Sequence, residues 1–142
     1  MRSEVLAAAG VAALSMTLCG AAAADAPAAR HETVTPLANE PVANVPGKRL
    51  VSLIVDYPPG AKSLPHRHAG SAFIYAYVVS GRIRSAVDDQ PSRVYGVGEG
   101  WFEKPGAHHV VSENASETQP ARLLAVFIVD ADDTKLTTPD GG

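Results

Sequence analysis

Cysteine is almost missing from this chain. There is one, Cys19, among 142 residues, so no disulfide framework can form within it. Aromatic residues make up only 6% and include a single tryptophan, Trp101. Positive charge is not in excess: 12 Lys and Arg stand against 15 Asp and Glu, a formal net charge of −3. That excludes the basic footprint of a nucleic-acid binder. No apolar run reaches the roughly 20 residues of a membrane-spanning helix; residues 6–20 (LAAAGVAALSMTLCG) come nearest, with fifteen. Beyond that stretch no long apolar period of 3.6 residues occurs, which argues against a helical bundle. What remains is ordinary for a globular chain: 46% hydrophobic and 19% charged residues, too apolar for wholesale disorder. The 12 glycines and 11 prolines suit a chain with many turns.

The N-terminal stretch reads as a secretory signal peptide. Arg2 precedes the apolar run, and small residues (AAAA, 21–24) follow it, the order of basic end, short apolar core and A-x-A site. Cleavage is expected after Ala24, which places residues 25–142 in a secreted or periplasmic compartment, without a membrane anchor. Cys19 would leave with the leader; Leu18 before it, where a small residue is usual, speaks against lipidation. Residues 25–47 are Pro-rich and read as an arm, with one short edge strand near 33–37. Residues 48–130 read as the folded domain, and the polar segment 131–142 as a tail that frays.

Within 48–130 the pattern is that of short strands. Residues 50–57 (LVSLIVDY) end at Pro58-Pro59-Gly60, and 72–79 (AFIYAYVV) end at Ser80-Gly81. Residues 82–87 alternate Ile83, Ser85 and Val87 against Arg82, Arg84 and Ala86; the two arginines are expected on a solvated face. Further strands fall at 93–97, 101–103, 108–112 and 121–129. Strands at 8–12-residue spacing with Gly/Pro punctuation predict an all-β sandwich or barrel, and about eight of them in this length suit a small jelly roll. Tyr75, Tyr77, Trp101 and Phe102 sit at strand spacing and are expected in the core.

Chemistry is concentrated in the histidines. Four of the five form two pairs, His66-Arg67-His68 and His108-His109. In a strand His66 and His68 face the same side, about 6–7 Å apart, with Arg67 pointing away. That spacing lets two imidazoles converge on one ion. Adjacent His108 and His109 face opposite sides, so at most one joins them. Gly96-x-Gly98-x-Gly100 has no helix after it to hold phosphate and reads as a turn. Asn114-Ala115-Ser116 fits a glycosylation sequon. No Ser/His/Asp or Cys/His nucleophile is recognisable.

Gly60-x5-His66-x-His68 resembles the start of the first cupin motif, and Lys104-Pro105-Gly106-Ala107-His108-His109 resembles the second, P-x-G-x2-H-x3-N. The resemblance spans about residues 48–130. It implies a cupin double-stranded β-helix, a jelly-roll barrel with a metal inside. Carried over, it implies His66, His68 and His109 as metal ligands, and leaves His108 as a donor to a ligand or an outward residue. The family's glutamate has no counterpart: counting from either end places it at Ala72, Phe73 or Ile74. Lys104 stands where Pro is usual. Glu113 stands where Asn is usual, with Asn114 one later. On a regular strand Glu113 shares the face of His109 but lies about 13 Å away, too far to ligate the same ion. Glu103 is the one carboxylate retained as a fourth-ligand candidate.

The expected site is therefore three neutral histidines binding one divalent first-row metal: Fe, Zn, Cu, Ni or Mn. Without the carboxylate, hard cations such as Mn(II) should bind less well. The resemblance implies an oxidoreductase like the quercetin-dioxygenase-type cupins, acting on a small organic substrate. The alternative is a non-catalytic module that holds a small ligand or metal, and the residues leave enzyme and binder both open. A homodimer is implied by the family's habit of pairing edge strands.

Overall fold

The computed structural model describes residues 31–141; the expected leader, its cleavage site and Cys19 lie outside them. The described residues form ten strands: β1 (Thr33–Pro41), β2 (Lys48–Tyr57), β3 (His66–His68), β4 (Phe73–Ser80), β5 (Arg82–Val87), β6 (Arg93–Gly96), β7 (Gly100–Glu103), β8 (His108–Asn114), β9 (Ala121–Asp130) and β10 (Thr137–Pro139). Two five-stranded sheets result, in the orders β1-β2-β9-β4-β7 and β10-β3-β8-β5-β6. Every paired strand is antiparallel. Among the described residues no helix is long and apolar enough to cross a membrane. The architecture is the all-β jelly roll expected from the strand spacing.

Period-2 alternation builds the first sheet's inner face. In β9, Ala121, Leu123, Ala125, Phe127 and Val129 are buried, and in β4, Ile74, Ala76 and Val78. The second sheet differs. Its buried residues include His68, Ser85, His109, Ser112 and Asn114 beside Ile83 and Ala86. An apolar sheet thus faces a polar one, and a sheet that turns polar groups inward needs partners for them. Those groups form the site.

Glycines set the turns where the sequence marks them. Gly81 has φ +70 between β4 and β5, and a Cβ there would lie 2.4 Å from the Pro120 carbonyl oxygen. Pro105 and Gly106, with φ +73 at the glycine and an Ala107 N–H to Lys104 carbonyl bond of 3.0 Å, form the type II pattern of Pro then Gly. That turn docks on β3: His68 N–H donates to Ala107 O at 2.9 Å and Gly106 N–H to Ala69 O at 3.1 Å. The second histidine motif is thereby hydrogen-bonded to the first.

Four expectations change. The edge strand expected near 33–37 runs on to Pro41, because residues 33–41 pair with β2 along most of its length, across an irregularity between Pro36 and Ala38. The segment expected to fray supplies β10, which pairs with β3, while Leu136 packs against the core and accepts the Ala69 N–H at 3.0 Å. Long-range partners order it despite its polar composition. Only Trp101 of the four expected core aromatics is buried; Phe102 is 65% and Tyr75 36% exposed, because β4 and β7 turn these alternate positions outward. Phe73, Tyr75 and Phe102 cluster there, with ring centroids 5.6 and 4.8 Å from Phe102.

The last change concerns β8. Ala86 pairs with Val111 and Val87 with His109, so β8 carries one extra residue. A bulge reverses the facing of everything after it. His109, Ser112 and Asn114 therefore all point inward, while Glu113 points outward to Arg84, 3.0 Å away. Regular alternation would have put Glu113 on the face of His109. Asn114 is buried, its amide nitrogen bonded to the carbonyls of Tyr57, Pro58 and Gln119 and its oxygen accepting the Ser116 N–H. The sequon asparagine is thus committed inside the fold and offers no amide for a glycan.

Candidate metal centre

β3 places His66 and His68 on one side with Arg67 exposed on the other, and β8 places His109 opposite His66 in register. The ring centroids of His66 lie 4.8 Å from His68 and 5.3 Å from His109. One ligand nitrogen from each of the three falls within 4.8 Å of the others. The structure brings together the three histidines that the cupin resemblance implied; spacing alone joined His66 and His68 and left the choice between His108 and His109 open. His108 is not with them: on the outer face, its Nε2 lies 2.7 Å from Asp140 and its N–H donates to Asp88 at 2.9 Å.

Each imidazole is held in place. His66 Nδ1 donates to the Leu64 carbonyl at 2.7 Å, which puts its proton on Nδ1 and leaves the Nε2 lone pair free, as a metal-ligating histidine requires. His109 Nε2 meets Ser85 Oγ at 2.9 Å. Phe127 packs its ring at 5.6 Å from that of His68. Sequence reasoning missed the roles of Ser85 and Trp101.

Glu103 stands beside the histidines. It is 2% exposed, with Oε1 accepting the Trp101 indole N–H at 3.0 Å. Oε1 lies 3.5 Å from His109 Nδ1 and Oε2 lies 3.0 Å from His68 Nε2. The last pair is in contact but not aligned as a hydrogen bond: His68 Nδ1, His68 Nε2 and Glu103 Oε2 are all buried without a hydrogen-bond partner. A buried polar atom left unpaired costs about 1–3 kcal/mol. A cation among these groups would satisfy both His68 Nε2 and Glu103 Oε2, so the residues fit a metal ion.

Burial favours the neutral, ligating form of His66 and His109. It pushes His109 down to about 4, with Glu103 opposing and the other two histidines assisting. Burial also lowers His66, against the opposing Leu64 carbonyl. For Glu103 burial alone would raise the carboxyl, but His68, the charge of His109 and the Trp101 N–H hold it below the ordinary carboxylate range. A pH dependence follows. The unfolded chain takes up a proton at His109 near pH 6.5 that the folded chain refuses down to about 4. Stability of the metal-free protein is therefore expected to fall as pH drops through that window, by about 3 kcal/mol in all at 1.36 kcal/mol per unit. Urea midpoints at pH 7.5 and 4.5 measure this; equal midpoints would show that His109 titrates normally.

The histidines open on a cavity of about 440 Å³. Its walls are mainly apolar, from Leu53, Val55, Ile74, Leu123 and Phe127, with the Tyr57, Ser63 and Ser112 hydroxyls on one side. Tyr57 Oη lies 2.8 Å from both serine oxygens. Burial raises the Tyr57 phenol, so it stays protonated, although both serines oppose the shift. His31, Glu32 and Val34 from the N-terminal arm and Thr137 and Pro139 from β10 also line the cavity. The expected arm and tail are thus parts of the site.

A jelly roll with histidines from two paired strands of one sheet beside an internal cavity is the cupin arrangement. The cupin domain family matches residues 53–127, just over half the chain, and the chain belongs to that family. A comparison with curated protein sequences found no match. Among solved structures, an oxalate oxidase in complex with the substrate analogue glycolate is 24% identical, with a TM-score of 0.54 over 83% of this chain and 63% of that one. A DMSP lyase from Ruegeria pomeroyi DSS-3 is 21% identical, with a TM-score of 0.52 over 66% of this chain. This chain spans 45% of the lyase's length. An RmlC-like cupin with a double-stranded β-helix fold from Methanocaldococcus jannaschii is 13% identical, with a TM-score of 0.56 over 80% of this chain and 94% of that one. At these identities the likeness is one of fold.

Proposed function

We propose that the chain is a secreted or periplasmic metal-dependent oxidoreductase of the dioxygenase type, acting on a small organic substrate. The observation that carries this reading is the set of three imidazoles, with ligand atoms within 4.8 Å of one another, on a cavity of about 440 Å³. His66, His68 and His109 would hold one divalent first-row ion, which would supply Lewis acidity and, if redox-active, a redox centre. The chain's own residues do the rest. The Leu64 carbonyl and Ser85 fix two of the rings, the apolar walls exclude water from the substrate, and the Tyr57 phenol and its serines offer polar contacts. Among the described residues no lysine or arginine lines the cavity, whereas Glu32 and Glu103 do. The apolar walls suit a substrate with a largely apolar body, and an anionic group on it would have to reach the ion itself, the one strong cation of the proposed site.

Secretion is supported by the leader pattern of residues 1–24. A homodimer is supported by the exposed Phe73, Tyr75 and Phe102 cluster at the β4–β7 edge of the first sheet, since exposed apolar clusters of this kind mark contact surfaces. The second reading, a binder without turnover, is favoured by the absence of a carboxylate at residues 72–74.

The test is oxygen uptake by protein loaded in turn with Fe(II), Mn(II), Ni(II), Cu(II) and Zn(II), against a panel of phenols and enols. Uptake that disappears in His66→Ala supports the oxidoreductase. Saturable thermal shifts without uptake move the assignment to the binder. Neither response, with no metal held, overturns both.

A further inference from the structure

We propose that Glu103 is the carboxylate ligand of this metal site, supplied from β7 in place of the glutamate that the first motif lacks on β4. The inference rests on the three-histidine reading and adds a fourth, charged donor to it.

Strand register carries the argument. Counting back from Gly81 places the missing acid at Ile74, and Ile74 is paired with Glu103 across β4 and β7. Directly opposed residues on antiparallel strands point to the same face, with Cβ atoms about 5 Å apart. Both are buried, at 1% and 2% exposure, and both line the cavity. An acid at Glu103 therefore enters the barrel at the same level as one at Ile74, one strand to the side. The other two alignments do not offer this: Ala72 precedes β4, and Phe73 faces outward.

The local chemistry agrees. Glu103 is the one acidic side chain among the buried residues described. The Trp101 indole N–H holds Oε1, and this leaves Oε2 toward His68, at 3.0 Å and out of hydrogen-bond alignment. Donors sharing one octahedral ion at about 2.1 Å stand about 3.0 Å apart. Contact without hydrogen-bond alignment is what two lone pairs directed at a common cation produce. The alternative role, a carboxylate that orients His68 by accepting its N–H, would use the same 3.0 Å contact, though not an aligned one, and the response of the carboxylate stretch to added metal separates the two.

The consequence is a donor set of three imidazoles and one carboxylate, which suits harder ions than three imidazoles alone. The expectation that Mn(II) binds poorly is thereby reversed. Metal-stripped wild type, Glu103→Gln and Glu113→Gln would each be titrated with Mn(II) and with Zn(II) by calorimetry. Glutamine keeps an acceptor for Trp101, and Glu113 is an outward carboxylate paired with Arg84. Glu103→Gln is expected to weaken Mn(II) by well over 100-fold, beyond the roughly 10–100-fold that loss of an outer partner costs, and Zn(II) by less, and Glu113→Gln to change neither. Equal Mn(II) affinity in Glu103→Gln and wild type would overturn the proposal while leaving the three histidines standing. A wild type that takes up neither ion would overturn the three-histidine reading along with it. Should Glu103→Gln not fold, the infrared difference spectrum of wild type on adding one equivalent of Mn(II) decides. A shifted carboxylate stretch is expected, and its absence refutes ligation by Glu103.

Discussion

Protein produced with first-row metals supplied is expected to hold about one ion per chain, and His66→Ala to hold none. Three imidazole donors within 4.8 Å of each other would share the ion, and losing one should reduce affinity by well over 100-fold, given that outer partners of ligands alone are worth 10–100-fold. His66 is the right member to remove. It is half-buried beside the cavity, whereas His109 is fully enclosed and bonded to Ser85. Alanine at 66 leaves space that water can enter, so the metal-free variant should match metal-free wild type within about 1 kcal/mol. Elemental analysis gives the metal content, and melting curves with and without added ion give the linkage. Wild type should gain in Tm with metal, and His66→Ala should not. A variant that keeps the ion and the gain would remove His66 from the site.

The largest expected effect on folding comes from Ile83→Ala. Ile83 is fully buried in β5, in the cluster formed with Val55, Val78, Trp101 and Leu123. The truncation removes three carbons from a side chain that does not itself line the cavity, although its neighbours Val55 and Leu123 do, and the surroundings can relax only in part. A loss of about 3–4 kcal/mol follows from comparable core deletions, a sizeable share of a typical domain's 5–15 kcal/mol. Urea denaturation measures it, with Val94→Ala as control: Val94 is 38% exposed on β6 and should change stability by less than about 0.5 kcal/mol. Similar midpoints for the two variants would mean that β5 is not the packed interior described. Metal uptake by folded Ile83→Ala should persist, which separates loss of packing from loss of the site.

Much of this was legible locally. Alternation in residues 82–87 and 121–129 showed which side chains go inside, because the two-residue period of a strand is a property of the backbone. The same period placed His66 and His68 together, and Ser80-Gly81 marked the end of a strand because glycine adopts its φ of +70 without strain. Periodicity failed where the chain departs from regularity. The bulge in β8 exchanged the expected faces of Glu113 and Asn114, and no residue in His108–Asn114 signals it. Aromatic character predicted core for Phe102 and Tyr75, but exposure depends on which sheet face is covered, and theirs is open.

The sequence by itself determined most of the strands, their turns and the pairing of His66 with His68, since each rests on residues within one strand or turn, while His109 came from the likeness of the second motif to the cupin pattern. Only the tertiary structure decided that a polar tail becomes β10 beside β3, and that Glu103 stands across from Ile74 at the level of the missing acid. Both depend on pairing between segments far apart in the chain. Such pairing is selected by burial and backbone hydrogen bonding of the whole barrel, and the spacing of neighbouring residues carries no record of it.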